Sequence, residues 1–387
     1  MRGSRRHSAA RAAIATVFAL WFHVARAGAT YEVIPYTGSV PVALAQSAAG
    51  KTVPMSSFTQ QATKTGKSYT DTIIGVSPFA TTKTITRTNI LIVPLIIDIG
   101  STVFDPTATE TCTAPNMAPT TAIMQSPLFN KVLFDGKKTA EHASLINGVD
   151  LGLATYIDAF QRAEFWSVVQ GTQFHLALTP TLAAPYTISA AIVQSLEGRV
   201  EKTACAPQGY LNKTNFQNYL LNTLLKQEPG VTPTSFVLFV TKNVALSNSL
   251  ACPGCTRGFH SAVNGKAVQT FGFADYETTE LYPGVVDIDT LSHEIAEWVD
   301  DPLGKNQTPP WGHVGQQKGC QHNWEVGDPL SGTNFPSIKM TNGMTYHPQE
   351  LAFYSWYYNA PATASIGAGG AFSSNGTFTT PAPVCKT

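Results

Sequence analysis

The chain has 387 residues, 13% of them charged and 43% hydrophobic, with 25 Lys and Arg balancing 25 Asp and Glu. That length and apolar content suffice for one large core or two smaller ones. The low charge density makes the chain a poor candidate for binding nucleic acid or an anionic membrane.

The first 29 residues have the three parts of a secretory signal peptide. Arg2, Arg5, Arg6 and Arg11 form a positive start, residues 12–24 an apolar run, and small residues offer cleavage after Ala27 or Ala29. The apolar run is shorter than the roughly 20 residues that span a bilayer. No other stretch is longer, so a secreted or periplasmic protein without a membrane span is expected. The Arg5-Arg6 pair hints at twin-arginine export but lacks the apolar residues that follow such a pair. Removing the leader with its five arginines leaves 20 basic against 25 acidic residues, a net charge of −5.

Residues 30–85 are rich in Ser, Thr, Ala and Gln and read as an irregular arm, with one short strand at 31–36. The main domain is expected over 86–360. Residues 89–99, NILIVPLIIDI, form a β-branched apolar run suited to a buried strand, with Pro94 marking a bulge or an edge. Residues 152–169 carry apolar side chains at helical spacing. Strands are predicted at 174–178 and 186–193, an amphipathic helix at 215–226, and core strands at 235–241 and 268–273. Strands and helices alternate irregularly, which predicts a mixed α/β or α+β domain. The tail from 361 to 387 is rich in Gly, Ser and Thr and should be held by Cys385.

The six cysteines are Cys112, Cys205, Cys252, Cys255, Cys320 and Cys385. An even number in an exported chain reads as three disulfides, with roughly 15 possible connectivities. Cys252 and Cys255 have zinc-knuckle or redox spacing, but no second C-x-x-C completes a thiolate site, so a structural disulfide is the preferred reading. Asn212, Asn306 and Asn375 head glycosylation sequons that matter only in a eukaryotic host. No G-x-S-x-G elbow and no phosphate loop is present.

The strongest chemical signal is residues 287–302, DIDTLSHEIAEWVDDP. Ile288, Leu291, Ile295 and Trp298 or Val299 make an apolar helix face, and Pro302 ends it. His293, Glu297 and Asp301 recur every fourth residue on another stripe, one turn apart. An imidazole and a carboxylate so placed can grip one ion. Glu294, about 100° around the helix, is placed as a general base toward a water at that ion. Carboxylate in place of a second histidine makes the site harder and less zinc-selective, so manganese or calcium also fits. A further ligand is expected from Glu325 or Asp328, which flank Gly327, with His313, His322 and His347 as competitors. Tyr346, His347, Tyr354, Trp356, Tyr357 and Tyr358 form an aromatic group that reads as core first, and otherwise as an oxyanion donor or a sugar-stacking surface.

The motif Ser292-His293-Glu294-Ile295-Ala296-Glu297, then Asp301-Pro302 and Glu325-x-Gly327-Asp328, resembles secreted bacterial proteins of metallopeptidase-like, zincin-like type. It is also similar to the plant EXORDIUM, or phosphate-induced, proteins. The segments VPLIIDIGSTVFDPT, MQSPLFN and YIDAFQRAEFW look like the bacterial group. The resemblance implies an α+β fold with a zincin-like mixed sheet. It implies zinc or another divalent ion on His293 and Glu297, completed by Glu325 and Asp328, with Glu294 as base. A metal-dependent hydrolase of peptides or a cell-envelope polymer is the function it implies. The plant relatives are associated with cell-wall growth and are not established proteases, which leaves a non-catalytic envelope-binding protein as the alternative. Residues 304–323 stand between the two motif halves, and a disulfide from Cys320 would fix the Glu325 loop.

Overall fold

Continuous apolar strands need cover on both faces, and this chain supplies it with helices and loops on each side of one mixed sheet. The computed structural model describes residues 28–112, 116–134, 149–249, 254–361, 364–366, 371–383 and 385. All but the last two positions of the expected signal peptide lie outside the described residues, as does Cys252. Among them, no helix is long and apolar enough to cross a membrane.

In chain order, β1 (Gly28–Ile34) and α1 (Val40–Ala48) lead to a hairpin of β2 (Met55–Gln61) and β3 (Ser68–Ile74), then to the long β4 (Ile85–Ile99) and its return strand β5 (Thr102–Phe104). After α2 (Pro119–Gln125) come the ribbon β6 (Val132–Phe134) and β7 (Gly152–Ala154), then α3 (Tyr156–Glu164) and α4 (Trp166–Val169). Next are β8 (His175–Leu182), β9 (Tyr186–Ile188), α5 (Ala190–Ser195), β10 (Arg199–Glu201) and β11 (Gln208–Leu211). α6 (Lys213–Tyr219) continues through a π turn, Leu220–Leu224, into α7 (Leu225–Gln227). The strands β12 (Ser235–Lys242), β13 (Val244–Leu246), β14 (Gly254–Val263) and β15 (Gln269–Tyr276) precede α8 (Asp289–Asp300). The ribbon β16 (Gln307–Gly312) and β17 (Cys320–Asn323), the pair β18 (Ile338–Lys339) and β19 (Thr345–Tyr346), and α9 (Tyr354–Tyr357) complete the series.

The 11-stranded sheet has the order β10-β11-β13-β14-β15-β12-β4-β5, with β1 on β14, and β8 and β9 both on β4. β4, β12 and β15 run parallel, while β14 is antiparallel to β15. Strand alternation sorts their side chains. Ile90 and Ile92 of β4, with Phe236, Leu238 and Val240 of β12, join the core under α8 and α3. Leu91, Val93, Val237 and Phe239 join a second core under α6 and α7. Trp298 of α8 stacks on Phe236 with ring centroids 4.3 Å apart, which fixes the helix against the sheet. Pro94 costs β4 little. It falls where the neighbouring strand changes from β8, paired through Ile92, to β9, paired from Leu95.

The structure has both helices and strands, as predicted, but the expected irregular arm is corrected. Residues 30–85 hold β1, α1 and the β2–β3 hairpin, and β1 is a full member of the main sheet. β2 buries only Met55 and Phe58, three apart and so on opposite faces, and Ser, Thr and Gln fill its other positions, so no alternation shows in the sequence. Two further boundaries move. The helix predicted from 152 starts at Tyr156, because Thr155 caps it by accepting from the Asp158 amide. The strand predicted through 193 ends at Ile188, and α5 follows.

Cys112 bonds Cys205, and Cys320 bonds Cys385. Cys255 is disulfide-bonded as well. The Cys320–Cys385 link closes a separation of 65 residues. Chain-entropy reasoning gives a loop of that size roughly 4 kcal/mol of stabilisation. It anchors the tail, as expected, to the ribbon that leads into the Glu325 loop.

Asp71 of β3 is buried, and burial pushes its carboxyl from 3.8 up to about 6, although Gln60 Nε2 and Tyr358 Oη both donate to its Oδ2. A carboxyl raised on folding takes up a proton, so its contribution to stability is complete below the unfolded pKa and is lost as pH rises through the folded one. Stability measured by urea unfolding at pH values from about 4 to about 7 should therefore fall in the wild type relative to Asp71→Asn. A constant difference between the two proteins would contradict this assignment.

Candidate metal centre

α8 turns its apolar spacing toward the sheet, but its polar stripe is no more exposed. His293 and Glu294 are 0% exposed and Glu297 is 1% exposed. Two glycines explain how a charged stripe comes to lie so deep. Gly258 of β14 faces Glu294, and a Cβ there would stand 2.3 Å from Glu294 Oε1. Gly327 faces the other side, where a Cβ would stand 2.3 Å from His293 Nδ1. Backbone therefore approaches both side chains more closely than any other residue type permits.

β14 contributes by alternation. Phe259 points into the second core, while Gly258, His260 and Ala262 share the α8 face. His260 is fully buried. The loop at Glu325, Gly327 and Asp328 closes the remaining side, so three separate segments meet around Glu297.

Each imidazole is tied at one nitrogen and free at the other. His293 Nδ1 lies 2.9 Å from Gln349 Oε1, and Gln349 Nε2 donates to the Gly327 carbonyl at 2.6 Å. His293 Nε2 then faces Glu297 Oε1 at 3.0 Å and Asp328 Oδ1 at 3.6 Å, yet has no hydrogen-bond partner. The atoms are close but not aligned as donor and acceptor. Ligands around a tetrahedral ion have this relation: with bonds of about 2.0–2.2 Å, neighbouring donor atoms stand roughly 3.3–3.6 Å apart. His260 repeats the pattern. Its Nε2 lies 3.1 Å from the Asp301 carbonyl, which leaves Nδ1 unpartnered, 3.5 Å from Glu294 Oε2 and 3.7 Å from Glu297 Oε2. Glu325 Oε2 lies 3.8 Å from the ring's other nitrogen, Nε2, and both oxygens of Glu325 and of Glu294 lack a hydrogen-bond partner.

The electrostatics are those of negative charge crowded without a base. Burial, then the neighbouring Glu297, pushes the carboxyls of Glu294, Glu325 and Asp328 well above the usual range. Burial also opposes ionisation of Glu297, but the His293 and His260 imidazoles outweigh it and hold that carboxyl low. Burial lowers His260 to about 4. Among the described residues, the charged groups that pair with Glu294, Glu297, Glu325 and Asp328 are these two histidines, not lysine or arginine. Orphaned nitrogen and oxygen donors converging in a buried, acidic space are what a divalent cation requires.

All four predicted ligands meet here, but they divide. His293, Glu297 and Asp328 form one group, and His260, Glu297 and Glu325 another, each with ligand atoms within 4.8 Å of one another. The competitors do not take part. His322 is exposed, and His347 pairs with Asp287 at 2.7 Å. His313 lies near Cys320 and Cys385, but those sulfurs are bonded to each other and offer no thiolate. The aromatic group is core. The hydroxyls of Tyr346 and Tyr357 donate to the Ala122 and Glu325 carbonyls, and Tyr358 Oη to Asp71 and Gln307. Residue spacing gave no notice of His260, a lone histidine on a buried strand, or of Gln349.

Asp328 is held from outside. Gln316 and Gln317 donate to its two oxygens, and Gln316 also exchanges hydrogen bonds with the Tyr31 backbone at 2.7 and 3.1 Å. The Tyr31 ring stacks on His293 at 3.8 Å, and its hydroxyl donates to Asp289 at 2.8 Å. β1 thereby covers the imidazole.

No family model, curated protein or solved structure matches this chain.

Gly327 has φ −86° and ψ −33°, which alanine adopts freely, so Gly327→Ala acts only through the clash with His293. The ring must turn and lose Gln349. Affinity for a divalent ion, measured by competition with a chelator, should fall about 10–100-fold, the usual effect of disturbing the groups that orient a ligand. Unchanged affinity would exclude His293 as a ligand.

Proposed function

We propose that this chain is an exported metal-dependent hydrolase of zincin-like type. His293, Glu297 and Asp328 hold the ion, zinc or another divalent cation, and Glu294 is the general base. The observation that carries this reading is the free His293 Nε2, fixed in direction by Gln349 and facing two carboxylates at 3.0 and 3.6 Å. When bound, the ion would polarise a scissile carbonyl and lower the pKa of a water.

The chain's own residues do the rest. Gln349 keeps the proton of His293 on Nδ1, so that Nε2 presents its lone pair. Gln316 and Gln317 orient Asp328. Glu294 follows His293 on the helix but projects to its other side, against His260, where it accepts a proton from a water. The substrate class is a peptide or a cell-envelope polymer, on the strength of the motif resemblance. The leader sequence and the disulfides support export.

One observation favours a second reading, a non-catalytic envelope protein with a structural ion. Every ligand is at most 4% exposed, and Tyr31 lies flat over His293. Metal analysis of the purified protein with a peptide and glycan screen separates the two. The hydrolase reading expects bound metal, turnover in the wild type, and Glu294→Gln that keeps the metal and loses activity by about 10²-fold or more. Metal without turnover on any substrate supports the structural ion. Full activity in Glu294→Gln removes the base assignment.

A further inference from the structure

Glu297 has two carboxylate oxygens, and the structure spends one on each histidine. Oε1 faces His293 Nε2 at 3.0 Å, and Oε2 faces His260 Nδ1 at 3.7 Å. We propose that Glu297 bridges two cations: the ion of the reading above, on whose site this inference rests, and a second ion held by His260, Glu297 and Glu325.

Four observations support the second position. His260 is fully buried, and its Nδ1 has no hydrogen-bond partner. The other ring nitrogen is committed to the Asp301 carbonyl at 3.1 Å, which fixes the tautomer with its lone pair on Nδ1. Glu325 is 1% exposed, and neither of its oxygens has a partner. One ligand atom each of Glu325, Glu297 and His260 lies within 4.8 Å of the others. A single ion on His293 leaves all of these atoms unsatisfied. Each such buried group carries an unmet desolvation cost, larger when it is charged.

The ligand set of oxygen with a single imidazole suits manganese or zinc better than a thiolate-selecting metal. A carboxylate bridging through both oxygens holds paired ions roughly 3.5–4 Å apart in two-metal sites. Glu294 Oε2, 3.5 Å from His260 Nδ1, also borders the second position.

The test is a titration of the chelator-stripped, folded full chain with Mn(II), following bound metal and the EPR spectrum. Two ions per chain are expected. The isolated six-line signal should appear with the first equivalent and collapse into a broad, exchange-coupled spectrum with the second. His260→Gln should stop at one ion and keep the six-line signal, and Glu325→Gln should weaken the second ion at least tenfold. If His260→Gln does not fold, the wild-type coupling decides alone. Saturation of the wild type at one ion with an uncoupled spectrum overturns the second site and leaves the first standing. No binding of Mn(II) or Zn(II) at all overturns the metal reading itself.

Discussion

The constraint on which the structure turns is the burial of four carboxyls and two imidazoles around Glu297. An unpaired ion taken out of water costs several kcal/mol even after relaxation. Here no lysine or arginine among the described residues is brought in to offset it. The cluster must hold protons or cations. Burial favours protons on Glu294, Glu325 and Asp328, while the two imidazoles keep Glu297 low. A divalent ion replaces those protons and gives Nε2 of His293 and Nδ1 of His260 a partner at the same time.

The surrounding fold is arranged to bring that cluster together and to aim it. Gly258 and Gly327 let strand and loop backbone press against Glu294 and His293. Gln349 and the Asp301 carbonyl select one tautomer for each ring. Gln316 joins Asp328 to the backbone of β1, and the Cys320–Cys385 disulfide pins the ribbon just before the Glu325 loop. Residues 304–323, which read as an interruption between two motif halves, are therefore the clamp that sets the second half in place.

How much of this was legible follows from what each signal encodes. The 3.6-residue spacing of Leu291, Ile295 and Trp298 marked α8 and placed His293 and Glu297 on one stripe. The β-branched runs marked β4 and β12. Glu325 and Asp328 stood out because two acids flank a glycine. His260 did not, because its role depends on register: the pairing of β14 with β15 decides that 258, 260 and 262 face the helix. Long-range strand pairing leaves no local pattern. The N-terminal segment was misread for a related reason. In β2 every residue but Met55 and Phe58 is Ser, Thr or Gln, and these two, three apart, make no period-two pattern, so the composition resembles a loop. The division of the predicted ligands into two groups was likewise beyond residue spacing, since it rests on which oxygen of Glu297 each ring faces.

Anomalous diffraction from crystals of the metal-loaded protein, collected on both sides of the metal edge, tests the central claim most directly. The account expects a peak about 2.0–2.2 Å from His293 Nε2 and from an oxygen of Glu297. A map with no anomalous density there at full metal loading, and with hydrogen-bonded water filling the space between the two histidines, would contradict it.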